Sequence, residues 1–284
     1  MVIRVVIWVV GWSGVALAGD RDPLPARWIE RPLVLPRGWA RAEVALALRG
    51  PGPAAPLLQG EEIQRDVVAA TLGLGVLPRV EAFAVLPWVW TRSGTRSGRG
   101  LGDPVLGSRL VLHRSEPPSR SVALELSATT PRGGIQQGLP LDVGVTVLRG
   151  ALGGRAALGG LGLEGWLGPS LWLPGPVGWL RPAGGGHGRI DPGDGGVASV
   201  AAWLQAGPLV PRIAARIEAR AADRIGARPV SSASVGAELE GTVRAQLSRG
   251  VWGLAGYSWP LIEAVALPGR PRGRALQLAV GVAL

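Results

Sequence analysis

The chain has 284 residues, and its 30 basic residues outnumber its 20 acidic residues, which gives a formal net charge of +10 at pH 7. It contains no cysteine, which excludes disulfides and thiolate metal sites. No run of about 18 apolar residues occurs, which excludes a bundle of transmembrane helices. Every basic residue is an arginine, and many of these arginines alternate with glutamate or lie in predicted loops. We therefore expect no nucleic-acid partner.

The first 18 residues form a predicted signal peptide. Arg4 supplies a positive charge, residues 5–15 are largely apolar, and residues 16–18 (Ala-Leu-Ala) are a small-x-small cleavage motif. A single membrane anchor is the alternative, but about a dozen apolar residues are too few to cross a bilayer. We therefore expect an exported chain whose mature form begins at Gly19.

Residues 19–38 are rich in proline and arginine and are predicted to form an irregular leader. The rest of the chain divides into segments of about 9–13 residues with apolar residues at alternate positions, long enough to cross the hydrocarbon when tilted. The twelve predicted strands are 39–48, 66–76, 79–90, 103–114, 120–130, 140–149, 155–167, 197–207, 209–221, 234–247, 251–262 and 273–284. They predict an all-β fold, a transmembrane antiparallel up-and-down β-barrel of about 12 strands over residues 39–284.

The connections between these strands alternate in length. The odd-numbered connections are long: residues 49–65, 91–102, 131–139, 168–196, 222–233 and 263–272. The even-numbered connections are shorter: residues 77–78, 115–119, 150–154, 208 and 248–250. This alternation is typical of an outer-membrane barrel, whose long loops face outside and whose short turns face the periplasm. A β-sandwich has no reason to sort its loops in this way.

The last strand alternates strictly between two faces, which a strand allows and a helix does not. One face carries large aliphatic residues: Leu276, Leu278, Val280, Val282 and Leu284. The opposite face carries small or polar residues: Ala275, Gln277, Ala279, Gly281 and Ala283. We expect the aliphatic row to face lipid and to pair with Val44, Leu46 and Leu48 of the first strand, which closes the barrel.

Charged residues on the strands must face the barrel lumen, because a charge on the lipid face costs about 2–4 kcal/mol at the midplane. The predicted lumen-lining residues are Glu43, Arg109, Glu125, Asp142, Glu164, Arg212, Arg216, Glu218, Arg220, Glu238, Glu240 and Arg244. Opposite signs on neighbouring strands, such as Arg109 and Glu125, predict a ladder of ion pairs. Such a ladder either lines a narrow pore or only fills and stabilises a closed barrel.

Tryptophan is the main aromatic residue, with 12 copies against one phenylalanine and one tyrosine. Five tryptophans near the predicted strand ends are expected to lie at the membrane interfaces: Trp39, Trp88, Trp90, Trp252 and Trp259. Ordinary core tryptophans are the alternative. The longest predicted loop is bordered by or contains Trp166, Trp172 and Trp179, which are expected either to fold it over the barrel mouth or to bury it on itself.

No motif in the sequence indicates an enzyme. The two histidines are His113 and His187, and the nearest hydroxyl upstream of His187 is that of Ser170. A lipid hydrolase built on Ser170 and His187 is the catalytic alternative. Asp191 and Asp194 follow His187, but we expect a polar loop there, with no metal and no cofactor.

Three short motifs in the first half of the chain resemble those of a known family. Residues 72–87 read as a glycine-alternating strand, a turn and a Val-Glu strand that ends in proline. Residues 100–110 (Gly-Leu-Gly-Asp followed by Leu-Gly and Arg) and 124–133 (a strand that ends in Pro-Arg-Gly) continue the pattern. The succession resembles the outer-membrane channel family named for the MetA pathway of phenol degradation. The resemblance implies a barrel of about twelve strands that moves small hydrophobic or aromatic compounds, and it supplies no catalytic residues.

We therefore expect a passive channel for small solutes in the outer membrane of a Gram-negative cell. Its expected partners are outer-membrane lipid and lipopolysaccharide, a small-molecule solute and the barrel-assembly machinery. A non-conducting structural or adhesive barrel, with a partner-binding loop at residues 168–196, is the main alternative.

Overall fold

The computed structural model describes residues 28, 31–50, 52–53, 62–115, 120–132, 134–137, 139–141, 145–173, 190–191, 193–225, 228–229, 233–248, 250–262 and 274–283. The predicted signal peptide, Asp142, Trp179, His187 and Leu284 lie outside the described residues. Within the ranges given, no helix is long and apolar enough to cross a bilayer.

Twelve long strands form the body of the structure, and each pairs antiparallel with the next along the chain. They are β1 Ala40–Arg49, β2 Glu62–Leu77, β3 Val80–Ser93, β4 Val105–Ser115, β5 Arg120–Thr129, β6 Thr146–Leu158, β7 Leu161–Leu173, β8 Gly195–Leu204, β9 Leu209–Arg220, β10 Ser234–Gln246, β11 Val251–Ile262 and β12 Ala275–Ala283. Short strands accompany the connections: Gly52–Pro53, Arg96–Leu101, Ile135–Gln136, Leu139–Pro140, Ile190–Asp191, Arg224–Ile225 and Arg228–Pro229.

The sheet closes because β12 pairs with β1. The register sets Leu276 opposite Leu48, Leu278 opposite Leu46 and Val280 opposite Val44, and this closure was predicted. Leu276, Leu278 and Val280 are exposed, whereas Val282 of the same row is buried. The expected all-β barrel of 12 antiparallel strands is confirmed.

One hairpin differs from the prediction. The sequence places a turn at residues 150–154, but β6 continues to Leu158 and the turn lies at Gly159 and Gly160. Gly159 has a φ of 60°, which favours glycine. Gly153 is a strand residue, and a Cβ there would overlap the Trp166 ring. The glycines of residues 150–154 therefore belong to the barrel wall, and Trp166 and Trp172 lie on β7 and not in a loop.

The alternation of loop lengths is confirmed and is more regular than expected. The even-numbered connections have two to four residues each: 78–79, 116–119, 159–160, 205–208 and 247–250. The odd-numbered connections are all longer. The barrel therefore has a short-turn end and a long-loop end, and both the start of β1 and the end of β12 lie at the short-turn end.

The outer face of the barrel is aliphatic. Leu167, Val200 and Ile213 are 67%, 64% and 55% exposed, and they alternate along their strands with residues that point into the barrel. Such a band of exposed aliphatic side chains costs free energy in water and is stable in lipid.

Leu278→Arg is expected to lower the free energy of unfolding by about 2–4 kcal/mol, because the charge would face lipid near the middle of β12. Gln277→Arg is the matched control. It puts the same charge on the inner face, where the Gln277 amide lies 3.1 Å from Glu240, and should cost less than about 1 kcal/mol. Urea unfolding in lipid bilayers measures both variants, and equal losses would contradict the assignment of the two faces.

Candidate functional site in the barrel lumen

The residues predicted to line the lumen lie on strand positions that alternate with the exposed aliphatic row. On β9, Arg212 and Arg216 alternate with Ile213 and Ile217, which are 55% and 51% exposed. The other members on the inner face are Glu43, Arg109, Glu125, Glu164, Glu218, Arg220, Glu238, Glu240 and Arg244. Asp142 is the one predicted member outside the described residues.

The structure brings many of these side chains together as ion pairs between neighbouring strands. Arg109 Nε lies 2.7 Å from Glu125 Oε2 between β4 and β5. Arg155 Nη2 lies 2.6 Å from Glu164 Oε2 between β6 and β7. Arg212 pairs with Glu240 between β9 and β10. These contacts form a ladder of alternating charge around the inner wall.

Around Glu218 and Arg220 the ladder involves other partners. Glu218 Oε1 lies 3.5 Å from Arg149 Nη2, and Glu218 Oε2 lies 3.2 Å from Arg216 Nη2. Arg220 lies 2.8 Å from Asp223, just beyond the end of β9. At this end of β9, nearer the long loops, each acidic group therefore has a cationic neighbour.

Glu81 is the most deeply buried acidic group of the described lumen, and it is not among the predicted lumen-lining residues. Its side chain has no exposed surface. Its Oε2 accepts a hydrogen bond from the Leu35 backbone N–H at 3.0 Å, and its Oε1 lies 3.0 Å from Arg41 and 3.6 Å from Arg109. One carboxylate therefore joins β1, β3 and β4 to the residues that precede β1.

Residues that precede β1 lie inside the barrel and are named here the lumenal segment (Trp28 and residues 31–39). Leu33 and Val34 pack with Ala123 in a buried cluster, with Val111 and Trp166 against it. The described part of the leader predicted for residues 19–38 contains no long helix or strand.

Backbone contacts hold the lumenal segment near the short turns. The Trp28 N–H donates to Gln205 Oε1 at 2.9 Å, and Arg155 Nη1 donates to the Arg31 carbonyl at 2.8 Å. The Gly38 N–H donates to the Gly75 carbonyl at 2.7 Å. Burial inside the barrel lowers the pKa of Arg31 from its ordinary value. The segment therefore lies across the short-turn end of the lumen.

Gly75 allows the lumenal segment to approach β2. A Cβ at this position would overlap the carbonyl group of Pro36. The Gly75 N–H also donates to the Trp39 carbonyl at 2.8 Å. Any larger residue at position 75 must push residues 36–39 away from the wall.

Two of the five tryptophans predicted at the interfaces are instead inside the barrel. Trp252 is 1% exposed and its ring centroid lies 5.1 Å from that of Trp28. Trp39 packs against the buried cluster of Trp252 and Ala283. The prediction was wrong because it used distance from the strand end, whereas the side-chain alternation of β11 turns position 252 inward.

The other three tryptophans lie on the outer face. Trp88 and Trp90 are 43% and 36% exposed, and Trp259 is 41% exposed. The ring centroids of Trp88 and Trp90 are 6.4 Å apart. Their role at a membrane interface stays a prediction.

A cavity of about 270 Å³ lies beside the lumenal segment. It is lined by three tryptophans, four arginines and three glutamates: Trp28, Trp203, Trp252, Arg41, Arg155, Arg212, Arg244, Glu43, Glu164 and Glu240, with Val210, Thr242 and Leu254. Arginines cover the indole rings, since the Arg244 guanidinium carbon is 3.8 Å from the Trp28 centroid and that of Arg155 is 4.3 Å from the Trp203 centroid. Four of these lining residues were not predicted from the sequence: Arg41, Arg155, Trp28 and Trp203.

Ser170, the candidate nucleophile of the hydrolase alternative, lies on β7 and not in the predicted loop. Its side chain is 2% exposed and accepts a hydrogen bond from Trp172 Nε1 at 3.3 Å. His187 lies outside the described residues. In the portion of the chain that the structure covers, no group of histidine and acidic residues could hold a metal ion.

The fold is similar to that of solved outer-membrane proteins. No family model matches the sequence, and no curated protein matches it. An outer membrane channel from Pseudomonas putida F1 has a TM-score of 0.71 with 14% identity, over 93% of this chain and 100% of that chain. The translocator domain of the autotransporter NalP from Neisseria meningitidis has a TM-score of 0.48 with 14% identity, over 86% of this chain and 87% of that chain. The first likeness confirms, at the level of the fold, the resemblance that the sequence motifs indicated.

Glu81→Gln is expected to lower the free energy of unfolding by about 3 kcal/mol, because the amide cannot balance the charges of Arg41 and Arg109 in the wall. Glu238→Gln is the control, since the Glu238 side chain is 32% exposed and its Oε1 lies 3.8 Å from Arg49 Nη2, and the change should cost less than about 1 kcal/mol. The urea concentration at the midpoint of unfolding measures the stability of both variants. A Glu81→Gln barrel as stable as the wild type would contradict a central role for this carboxylate.

Proposed function

We propose that the chain is an outer-membrane channel through which small solutes pass by way of the barrel lumen. The observation that carries the proposal is the inner wall: a closed barrel, aliphatic outside, carries a ladder of arginines and carboxylates inside. A polar lumen inside an apolar wall is the arrangement that conducts water-soluble molecules across lipid.

Twelve strands enclose a narrower lumen than the 16–18 strands of porins with a wide channel. The lumenal segment narrows it further at the short-turn end, where Leu33, Val34 and Leu35 are buried. We therefore infer that the solutes are small, and that the segment sets the width of the route. The family resemblance adds hydrophobic or aromatic compounds as the solute class.

A non-conducting barrel is the second candidate, and the position of the lumenal segment favours it. If the segment stays across the short-turn end, the ion-pair ladder only stabilises a filled lumen. The buried position of Ser170 gives no comparable support to a lipid hydrolase.

Conductance across planar lipid bilayers separates the two candidates. A channel gives discrete current steps when purified folded protein is added. Folding is checked first by the heat-dependent mobility of the barrel on gels. A correctly folded barrel that gives no steps contradicts the channel and leaves the structural barrel.

Gly75→Ala is expected to raise the single-channel conductance, because the new methyl group displaces residues 36–39 from β2. Deletion of residues 20–36 should raise it further. Gly165→Ala is the matched control, since a Cβ there meets its nearest atom, the Ser199 carbonyl oxygen, at an ordinary 3.6 Å. Unchanged conductance in both the Gly75→Ala and the deletion variants would show that the segment does not narrow the route.

The lumen is expected to prefer anions, because four arginines and three glutamates line its cavity. The reversal potential in a potassium chloride gradient should therefore indicate chloride over potassium. Arg212→Glu should reduce or invert this preference, whereas Arg92→Glu, an equal change of charge at an exposed position near the end of β3, should not. The preference for anions is refuted if the wild-type barrel selects potassium.

A further inference from the structure

One arginine of the cavity differs from the other three in its contacts. Arg41, Arg155 and Arg212 each pair with a glutamate. Glu43 of the same cavity attracts Arg244 electrostatically, but Arg244 makes no hydrogen bond or ion pair with any described residue, and its guanidinium lies over two indole rings. The distances from its guanidinium carbon to the ring centroids are 3.8 Å for Trp28 and 5.5 Å for Trp252.

A cation–π contact of this kind holds a guanidinium in place through the attraction between its charge and the ring. Such a contact does not require any of the five N–H donors of the arginine to form a hydrogen bond. Arg244 is therefore held by Trp28 and Trp252, its N–H groups make no hydrogen bond to any described residue, and its side chain lines the cavity. A planar guanidinium with unused donors matches a carboxylate, which accepts two parallel hydrogen bonds.

A second donor without a partner among the described residues belongs to Trp203, a residue that lines the same cavity. Trp203 is 8% exposed, and its Nε1 is buried with no hydrogen-bond partner among the described residues. A buried donor without an acceptor costs free energy, which an oxygen atom of a ligand would recover. Trp203 also offers an aromatic ring, whose centroid lies 4.3 Å from the Arg155 guanidinium carbon and 5.9 Å from that of Arg212.

The size and lining of the cavity limit what it can hold. Its volume of about 270 Å³ is below the range of about 300–1,000 Å³ that is usual for drug-sized ligands. Three indole rings favour a planar apolar body, and the arginines outnumber the glutamates, four against three. A neutral apolar solute would leave the donors of Arg244 and Trp203 unused.

We propose that this cavity binds a small aromatic carboxylate, with the carboxylate on Arg244 and Trp203 Nε1 and the ring against the tryptophans. That the ligand is a transported solute rests on the proposed channel function. That the cavity binds this ligand rests only on the contacts of Arg244 and Trp203. Trp28 belongs to the lumenal segment, so the ligand would contact both the segment and the barrel wall.

Calorimetric titration of benzoate into the full-length barrel, folded in detergent, tests the site without any measurement of flux. Benzyl alcohol keeps the ring but lacks the charge, and acetate keeps the charge but lacks the ring. Benzoate is expected to bind at one site per chain and more tightly than either comparison compound.

Arg244→Gln should weaken benzoate binding about tenfold or more, because a charge-assisted hydrogen bond is lost, and should leave benzyl alcohol unaffected. Trp203→Phe keeps the aromatic ring and removes the donor, and should weaken benzoate about two- to tenfold. Arg79→Gln is the control, since it removes the same charge from an exposed residue of the β2–β3 turn. Heat-dependent gel mobility confirms that each variant is folded.

Three results would overturn the proposal: no binding of benzoate, benzoate affinity unchanged in folded Arg244→Gln and Trp203→Phe barrels, or acetate binding as tightly as benzoate. Bilayer conductance distinguishes this failure from that of the channel. A conducting barrel that does not bind benzoate refutes the site alone. A non-conducting barrel whose benzoate binding depends on Arg244 refutes the channel alone.

Discussion

The pairing of β12 with β1 is the constraint on which the rest of the structure depends. In lipid, every backbone N–H and C=O needs a partner within the protein, so the sheet has to close on itself. Closure then divides each strand into a lipid face and a lumen face, because side chains alternate along it. The aliphatic row of β12 meets that of β1 through Leu278 and Leu46. The ion-paired residues of the wall, such as Arg109 and Glu125, thereby lie in a confined interior.

Confinement explains why many charged residues of the lumen occur as ion pairs. A charge that leaves water without a partner is costly, and the cost grows as the lumenal segment displaces solvent. Arg155 shows the result, since it pairs with Glu164 and also donates to the Arg31 carbonyl of the segment. Glu81 does the same with the Leu35 N–H. The wall and the segment therefore satisfy each other's polar groups.

The features that follow from period-two alternation could be predicted from the sequence. The strand number, the closing register and the inward position of Arg109 and Glu125 are of this kind. The turn at Gly159 was missed because the glycines of residues 150–154 also suggest a turn, although Gly153 serves the packing of Trp166. Glu81 was visible only as part of the Val-Glu motif. Its role depends on contacts with residues 35 and 41, which no local pattern encodes.

The cavity that Trp28, Trp203 and Trp252 line could not have been predicted from the sequence, for a related reason. Trp28 lies in a stretch without periodicity, and its position depends on Gln205, 177 residues away. Alternation alone turns Trp203 and Trp252 inward, but it does not show whether another element covers them. The lumenal segment provides that cover, because Trp28 packs near both.

The proposed solute route through the lumen and the proposed binding site are therefore coupled through one residue, Trp28. Trp28 forms part of the cavity wall and part of the segment that narrows the lumen. Displacement of the segment must separate Trp28 from Arg244, which exposes the guanidinium and removes one aromatic wall of the site. A ligand that contacts both elements favours the docked segment by as much as its affinity differs between the two states. In the proposed channel, binding and passage are then opposed, so a solute has to bind weakly enough to release the segment.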